Sequence, residues 1–160
     1  EEIEDTAEKI VLGALKYGFL KYDSNRVIRF VLDEWIQLEG DTGPYLQYTY
    51  ARCNGILEKV AKSETTEVGT LTVQSEKDLL LFQGRFSEVI FQFSREHRPS
   101  VLCAYLFDLA KLFNRFSKEC PIKTAATPQE RNIRLGLVKI VAQTIQEGLA
   151  LLGIPSLKRL

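Results

Sequence analysis

The chain has 160 residues, 45% hydrophobic and 26% charged, a globular composition that excludes a disordered tail or a membrane-embedded protein and points to one domain with one core. Lys plus Arg and Asp plus Glu number 21 each, but residues 1–80 carry 9 basic and 15 acidic side chains and residues 81–160 carry 12 and 6. The balance therefore excludes no partner, while the asymmetry fits one basic surface; solvated helix faces are the simpler explanation.

Asp5 and Glu8 have capping-box spacing, and Ala7, Ile10, Val11, Ala14 and Leu15 recur with helical period, which predicts a first helix fading near Gly18. Lys21 to Arg26 is polar and turn-like, and Val27 to Leu38 is a connector in which Asp33 can cap a short helix. Gly40-Asp41-Thr42-Gly43-Pro44 reads as a loop opening a second long helix from Pro44 to Lys62, with Thr42 as cap and Pro44 in the first turn. Ser63 to Gln74, poor in apolar residues, reads as a surface loop. Ser75 is the expected cap of a third helix, in which Leu79, Phe82, Phe86, Val89, Ile90 and Phe93 keep helical period up to a turn at His97. Pro99 opens a fourth, with Val101, Leu102, Tyr105, Leu106, Leu109, Leu112, Phe113 and Phe116 on one broad face, ending before Pro121. Thr127-Pro128-Gln129-Glu130 combines a capping box with a first-turn proline, and Gly153-Ile154-Pro155 supplies a C′ glycine, its apolar partner and a stop. The expected architecture is an all-α bundle of about five helices.

No apolar stretch approaches the roughly 20 residues that span a bilayer, and the chain begins EEIED, without a signal-peptide pattern. A cytoplasmic monomer with no membrane partner is expected. Cys53, Cys103 and Cys120 are too far apart for a CxxC metal site, and their odd number argues against a disulfide framework. His97, the only histidine, ends a helix without convergent partners, so histidine-based zinc sites are excluded and a triad is disfavoured. Neither GxGxxG nor GxxxxGK[ST] occurs, and Asp33, Glu34 and Glu39 read as solvated carboxylates. No catalytic residues, metal site or cofactor are assigned to this chain.

One constellation carries chemistry. Tyr45, Tyr48 and Arg52 stand at i, i+3 and i+7, so two phenol rings and a guanidinium share one helix face. Such groups stack splayed single-stranded bases and hold phosphate, although tyrosines at this spacing more often belong to a core.

The wider segment Glu39-Gly40-Asp41-Thr42-Gly43-Pro44-Tyr45-Leu46-Gln47-Tyr48-Thr49-Tyr50-Ala51-Arg52 closely resembles the EGxTxPYxQYxxxR signature of arginyl-tRNA synthetases, and AEKIVLGALKY from Ala7 to Tyr17 is similar to the helix before it. Pro99 to Leu106, with Leu109-Ala110 and Phe113-Asn114-Arg115-Phe116, resembles the next signature of that family's DALR anticodon-binding domain. Arg131 to Leu137 and Leu151-Leu152-Gly153-Ile154-Pro155 are similar to its last helix and terminus. The resemblance implies a single helical domain over residues 1–160 that grips the anticodon stem-loop of arginine tRNA, with 1–38 as the stem-contact and linker helices. It implies site residues Tyr45, Tyr48 and Arg52, the loop from Gln37 through Gly40 and Asp41 to Thr42, and the terminal Lys158, Arg159 and Leu160. The class I HIGH and KMSKS motifs are absent, so ATP, Mg and the ligase reaction would belong to a catalytic domain of the same protein, and this chain would bind tRNA without charging it. Two departures stand out: the chain ends Lys-Arg-Leu where the family commonly ends Arg-Met, and Ser117-Lys118 replaces a frequent aromatic residue. The competing readings are a helical protein-interaction module and the anticodon domain of another class I synthetase.

Overall fold

The structure, a computed structural model, describes residues 2–59 and 70–159. Seven α-helices and one short 3₁₀ turn make up its regular structure, with no strand among the described residues. The all-α class holds.

Helix α1 (Glu2–Leu20) begins before the expected cap: Asp5 lies inside it and pairs with Lys9 one turn on. Gly18 does not end it. The indole of Trp35 packs onto the backbone there, and a Cβ at Gly18 would fall 2.2 Å from a ring carbon. Trp35 comes from α2 (Leu32–Trp35), a single turn with Val31 at its N-terminal boundary, no side-chain cap, and Asp33 inside the turn, and Phe19 and Phe30 meet its ring edge-on at 5.0 and 4.9 Å. Helix α3 (Gly43–Lys59) starts as expected, with the Tyr45 N–H donating to Thr42 Oγ1 at 3.2 Å. Its predicted end at Lys62, and most of the predicted loop from Ser63, lie outside the described residues.

The single helix expected over 75–97 is two, α4 (Gln74–Gln83) and α5 (Phe86–Glu96), broken at Gly84 and Arg85. Both halves turn apolar side chains toward the same neighbour, α6 (Pro99–Glu119), so the period runs unbroken across the bend. Ser75 is not the cap of α4; it lies inside the first turn, buried, with its hydroxyl 3.4 Å from Cys120 Sγ. Glu76, in the same first turn, reaches back to the chain entering the helix, its Oε2 accepting from the Thr72 and Val73 N–H groups at 3.1 Å each. The 3₁₀ turn Ile122–Thr124 then leads to α7 (Pro128–Leu151), capped by Thr127 Oγ1 accepting from Glu130 N–H at 3.1 Å. At its end Gly153 takes φ +66°, the Ile154 N–H reaches Leu149 O at 2.8 Å, and Ile154 is buried.

Helix α6 is the centre of the core: Leu102, Leu106, Leu109, Phe113 and Phe116 are wholly buried between α4, α5 and α7, each contributing about 1.5–3 kcal/mol of apolar burial. Helix α3 packs against α1 and α7. Its crossing with α1 is backbone-close, since a Cβ on Gly43 would sit 2.1 Å from the Gly13 carbonyl oxygen. No helix of the described residues is long and apolar enough to cross a membrane.

Candidate nucleic-acid interface

Helix α3 packs against α1, α7 and α6 and leaves only a narrow strip outward. Leu46, Gln47, Tyr50 and Cys53 are buried; Tyr48 is 43% exposed, Arg52 is exposed, and Tyr45 lies between. The three predicted residues span seven positions, about 10 Å along the axis.

Asn114 of α6 ties two of them together. Its Nδ2 donates to Tyr45 Oη at 2.7 Å and its Oδ1 accepts from Arg52 Nη1 at 2.9 Å, so one amide fixes both groups. Tyr45 also meets Phe107 edge-on at 5.8 Å. This restraint settles the guanidinium before any ligand arrives, which reduces the rotamer entropy lost on binding. Asn114 escapes a reading by spacing because it lies 62 residues from Arg52, though it stands in the Phe113 to Phe116 segment that carried part of the resemblance.

Tyr48 and Arg52 open onto a groove of about 760 Å³ between α3, the end of α6, the 3₁₀ turn and the C-terminal tail. Ala51, Ile56, Pro121 and Ile122 give it an apolar floor; Lys59, Lys123, Lys158 and Arg159 stand around it. The structure thus joins Tyr48 and Arg52 to the predicted terminal residues Lys158 and Arg159, while Tyr45 does not line the groove. Glu58 is the acidic residue of this lining and bonds Arg159 at 3.2 Å, an exposed pair of small energetic weight. Leu160 lies outside the described residues.

The tail is held in place from α3. Gln47, wholly buried, donates from Nε2 to Lys9 O at 3.0 Å and to Pro155 O at 2.8 Å, bracketing α1 and the tail onto the signature helix. Leu157 is buried two residues further on. Gln47 is thus a positioning residue that the spacing of the tyrosines alone does not reveal.

The loop from Gln37 to Thr42 is not part of the groove; it sits at the N-terminal end of α3, about 9 Å along the axis from Tyr48. Gln37 and Gly40 are exposed, and Gly40 takes φ +81°. Asp41 and Thr42 are occupied by the fold. Tyr17 Oη donates to Asp41 Oδ1 at 2.5 Å, Lys21 Nζ donates to Asp41 O at 2.7 Å, and Thr42 Oγ1 donates to Gln37 O at 2.6 Å. Burial, with the Asp41 charge beside it, pushes the Tyr17 phenol far above its ordinary range. Tyr17 is therefore a neutral donor throughout the physiological range.

The arrangement offers an aromatic ring, a preset guanidinium and an apolar floor ringed by cations, a set suited to stacking an unpaired base while holding the phosphates beside it. The buried Cys103 thiol is pushed up to about 12 by burial, and Cys53 is pushed up for the same reason.

The profile of the DALR anticodon binding domain matches residues 46–160. The arginine–tRNA ligase of Bdellovibrio bacteriovorus is 38% identical over 98% of this chain and 27% of its own length, and that of Streptomyces coelicolor is 38% identical over the whole chain and 28% of its own. The Thermus thermophilus arginyl-tRNA synthetase structure superposes with a TM-score of 0.89 at 33% identity, covering 98% of this chain and 28% of that one. The chain thus spans little more than a quarter of the length of these relatives. With the profile covering most of its residues and the fold of α1 to α7 shared, the chain belongs to the DALR anticodon-binding domain family.

Proposed function

We propose that this chain is the tRNA-gripping part of an arginine–tRNA ligase, and that it takes the anticodon stem-loop of arginine tRNA in the groove beside α3. The observation that carries this reading is the convergence of Tyr48 and Arg52 with Lys158 and Arg159, from opposite ends of the chain, on one cationic groove with an apolar floor. Tyr48 stacks against an anticodon base, Arg52 meets a phosphate or base edge from the position Asn114 gives it, and the tail closes one side. Tyr45, braced against Phe107, supports this wall and presents its free edge. The loop holding Gln37, Gly40, Asp41 and Thr42 lies on the approach to the same helix, and Leu160 is taken as a further contact of the anticodon loop.

ATP, Mg and the esterification chemistry belong to a catalytic domain of the same protein. Residues 1–38 lead from that domain into the bundle, with Val27, Phe19 and Phe30 as apolar side chains on that approach, fully to half exposed.

The test is fluorescence anisotropy of labelled arginine tRNA at two salt concentrations, with the middle anticodon base changed and with Tyr48→Ala. Loss of affinity in both variants, with binding that weakens as salt rises, supports anticodon readout. Equal binding to all tRNAs moves recognition elsewhere and favours a protein-interaction role, and preference for a different tRNA points to a sister synthetase.

A further inference from the structure

The far wall of the groove is built by an element remote from α3. The connector 121–126 is held at both ends by one buried cluster. Arg134 Nη1 donates to Pro121 O at 3.3 Å, and Arg134 Nη2 bonds Glu130 Oε1. Glu130 Oε2 in turn accepts from Ala126 N–H at 2.7 Å. The guanidinium is itself anchored by Nε donating to Glu76 Oε1 at 2.8 Å, and the side chains of Arg134 and Glu76 are only 7% and 2% exposed. Burial alone would raise the Glu76 carboxyl, but the hydrogen bonds from Arg134 and from the Val73 and Thr72 amides outweigh it and hold it below the usual carboxylate range. Ser75 and Cys120 add a contact at the start of the same connector.

A buried ion pair is a weak device for stability, since a well-packed apolar pair of the same volume often serves as well; in this cluster the bonds of the pair run to the groups around it. Here those groups are the backbone atoms that set the turn Ile122–Thr124. That turn puts Ile122 into the core and Lys123 on the exposed rim of the groove, on the same rim as Lys158 and Arg159. We infer that Lys123 is an RNA-backbone contact of the groove, and that the Glu76–Arg134–Glu130 cluster is the positioning device that holds it there. The inference rests on the anticodon-binding reading.

The experiment measures binding of a labelled arginine tRNA anticodon stem-loop to the full-length protein over a salt series. Lys123→Ala is expected to weaken binding about 3- to 10-fold at low salt and to reduce the slope of log K against log salt by about 0.7–1, the signature of one lost phosphate contact. Lys123→Arg should retain the slope. Arg134→Lys, which keeps the charge but cannot fork, is expected to show the same slope loss, and the double variant no more than either alone. A change in folding stability by itself does not move that slope. Should Arg134→Lys melt below the assay temperature, Glu130→Gln replaces it, because that carboxylate is partly exposed and touches only the far end of the cluster. An unchanged slope in Lys123→Ala, or losses that add in the double variant, would overturn the inference. Tyr48→Ala, on the opposite wall, separates the two levels: if it weakens binding while Lys123→Ala is silent, only this inference falls, whereas wild-type binding by both removes the anticodon reading as well.

Discussion

The two faces of α3 use the same residue types to opposite ends. On the inward face Tyr50 is buried in the core and Gln47 spends its amide on two backbone carbonyls of other elements. On the outward face, each two residues from Tyr50, Tyr48 and Arg52 stand exposed over a cationic groove. The difference teaches that a run of matching residues is not a run of matching roles. A tyrosine on this helix is buried or exposed according to which sector of the helix it occupies.

The comparison is broken most forcefully from the inside. Tyr50→Ala is expected to cost about 3–5 kcal/mol, in the manner of other buried aromatic truncations, and to lower the denaturant midpoint strongly; a midpoint near wild type would mean the inward face is not core. Gln47→Ala removes the two hydrogen bonds that bracket α1 and the tail, at about 1 kcal/mol each, for about 2 kcal/mol in all, read by the same unfolding curve. On the outward face the pattern should invert. Tyr48→Ala is expected to leave stability within about 0.5 kcal/mol while lowering affinity for arginine tRNA roughly 10-fold, the lower part of the range for one stacked base.

A smaller effect sharpens the contrast by pH. Glu76 is held below the ordinary carboxylate value of 4.5, so the stability it contributes is fully present above that value and is lost as pH falls through its lowered one. Glu76→Gln should therefore show a shallower loss of stability than wild type on acidification, measured by thermal melts from neutral pH downward. Tyr48→Ala should not alter that profile.

Much of this was legible in the residues. Thr42, Thr127 and Gly153 stand at the helix boundaries where local chemistry places them, because caps and left-handed termini depend on neighbours a few positions away. The break at Gly84 was not legible. Periodicity reports which side of the chain meets the core, and α4 and α5 meet the same α6, so the stripe passes through a bend without a fault. Ser75 and Asp5 satisfy a capping pattern, yet α4 begins one residue before Ser75 and helical residues precede Asp5. In the groove, Tyr48, Arg52, Lys158 and Arg159 were nameable from sequence, whereas Asn114 and the Glu76–Arg134 pair were not. Their contacts join residues 58 or more positions apart, and no local pattern encodes such a meeting.

The crossing of α1 and α3 has a consequence for how such a sequence can diverge. At Gly43 the nearest obstacle is the main chain of Gly13, and at Gly13 it is the Gln47 amide. Neither glycine can acquire a methyl group while its neighbour stays where it is. Gln47 cannot leave without losing its bonds to α1 and to the tail. Positions 13, 43 and 47 therefore form one inherited unit, and a lineage that replaces one of them should carry changes at the others or a helix pair that has moved apart.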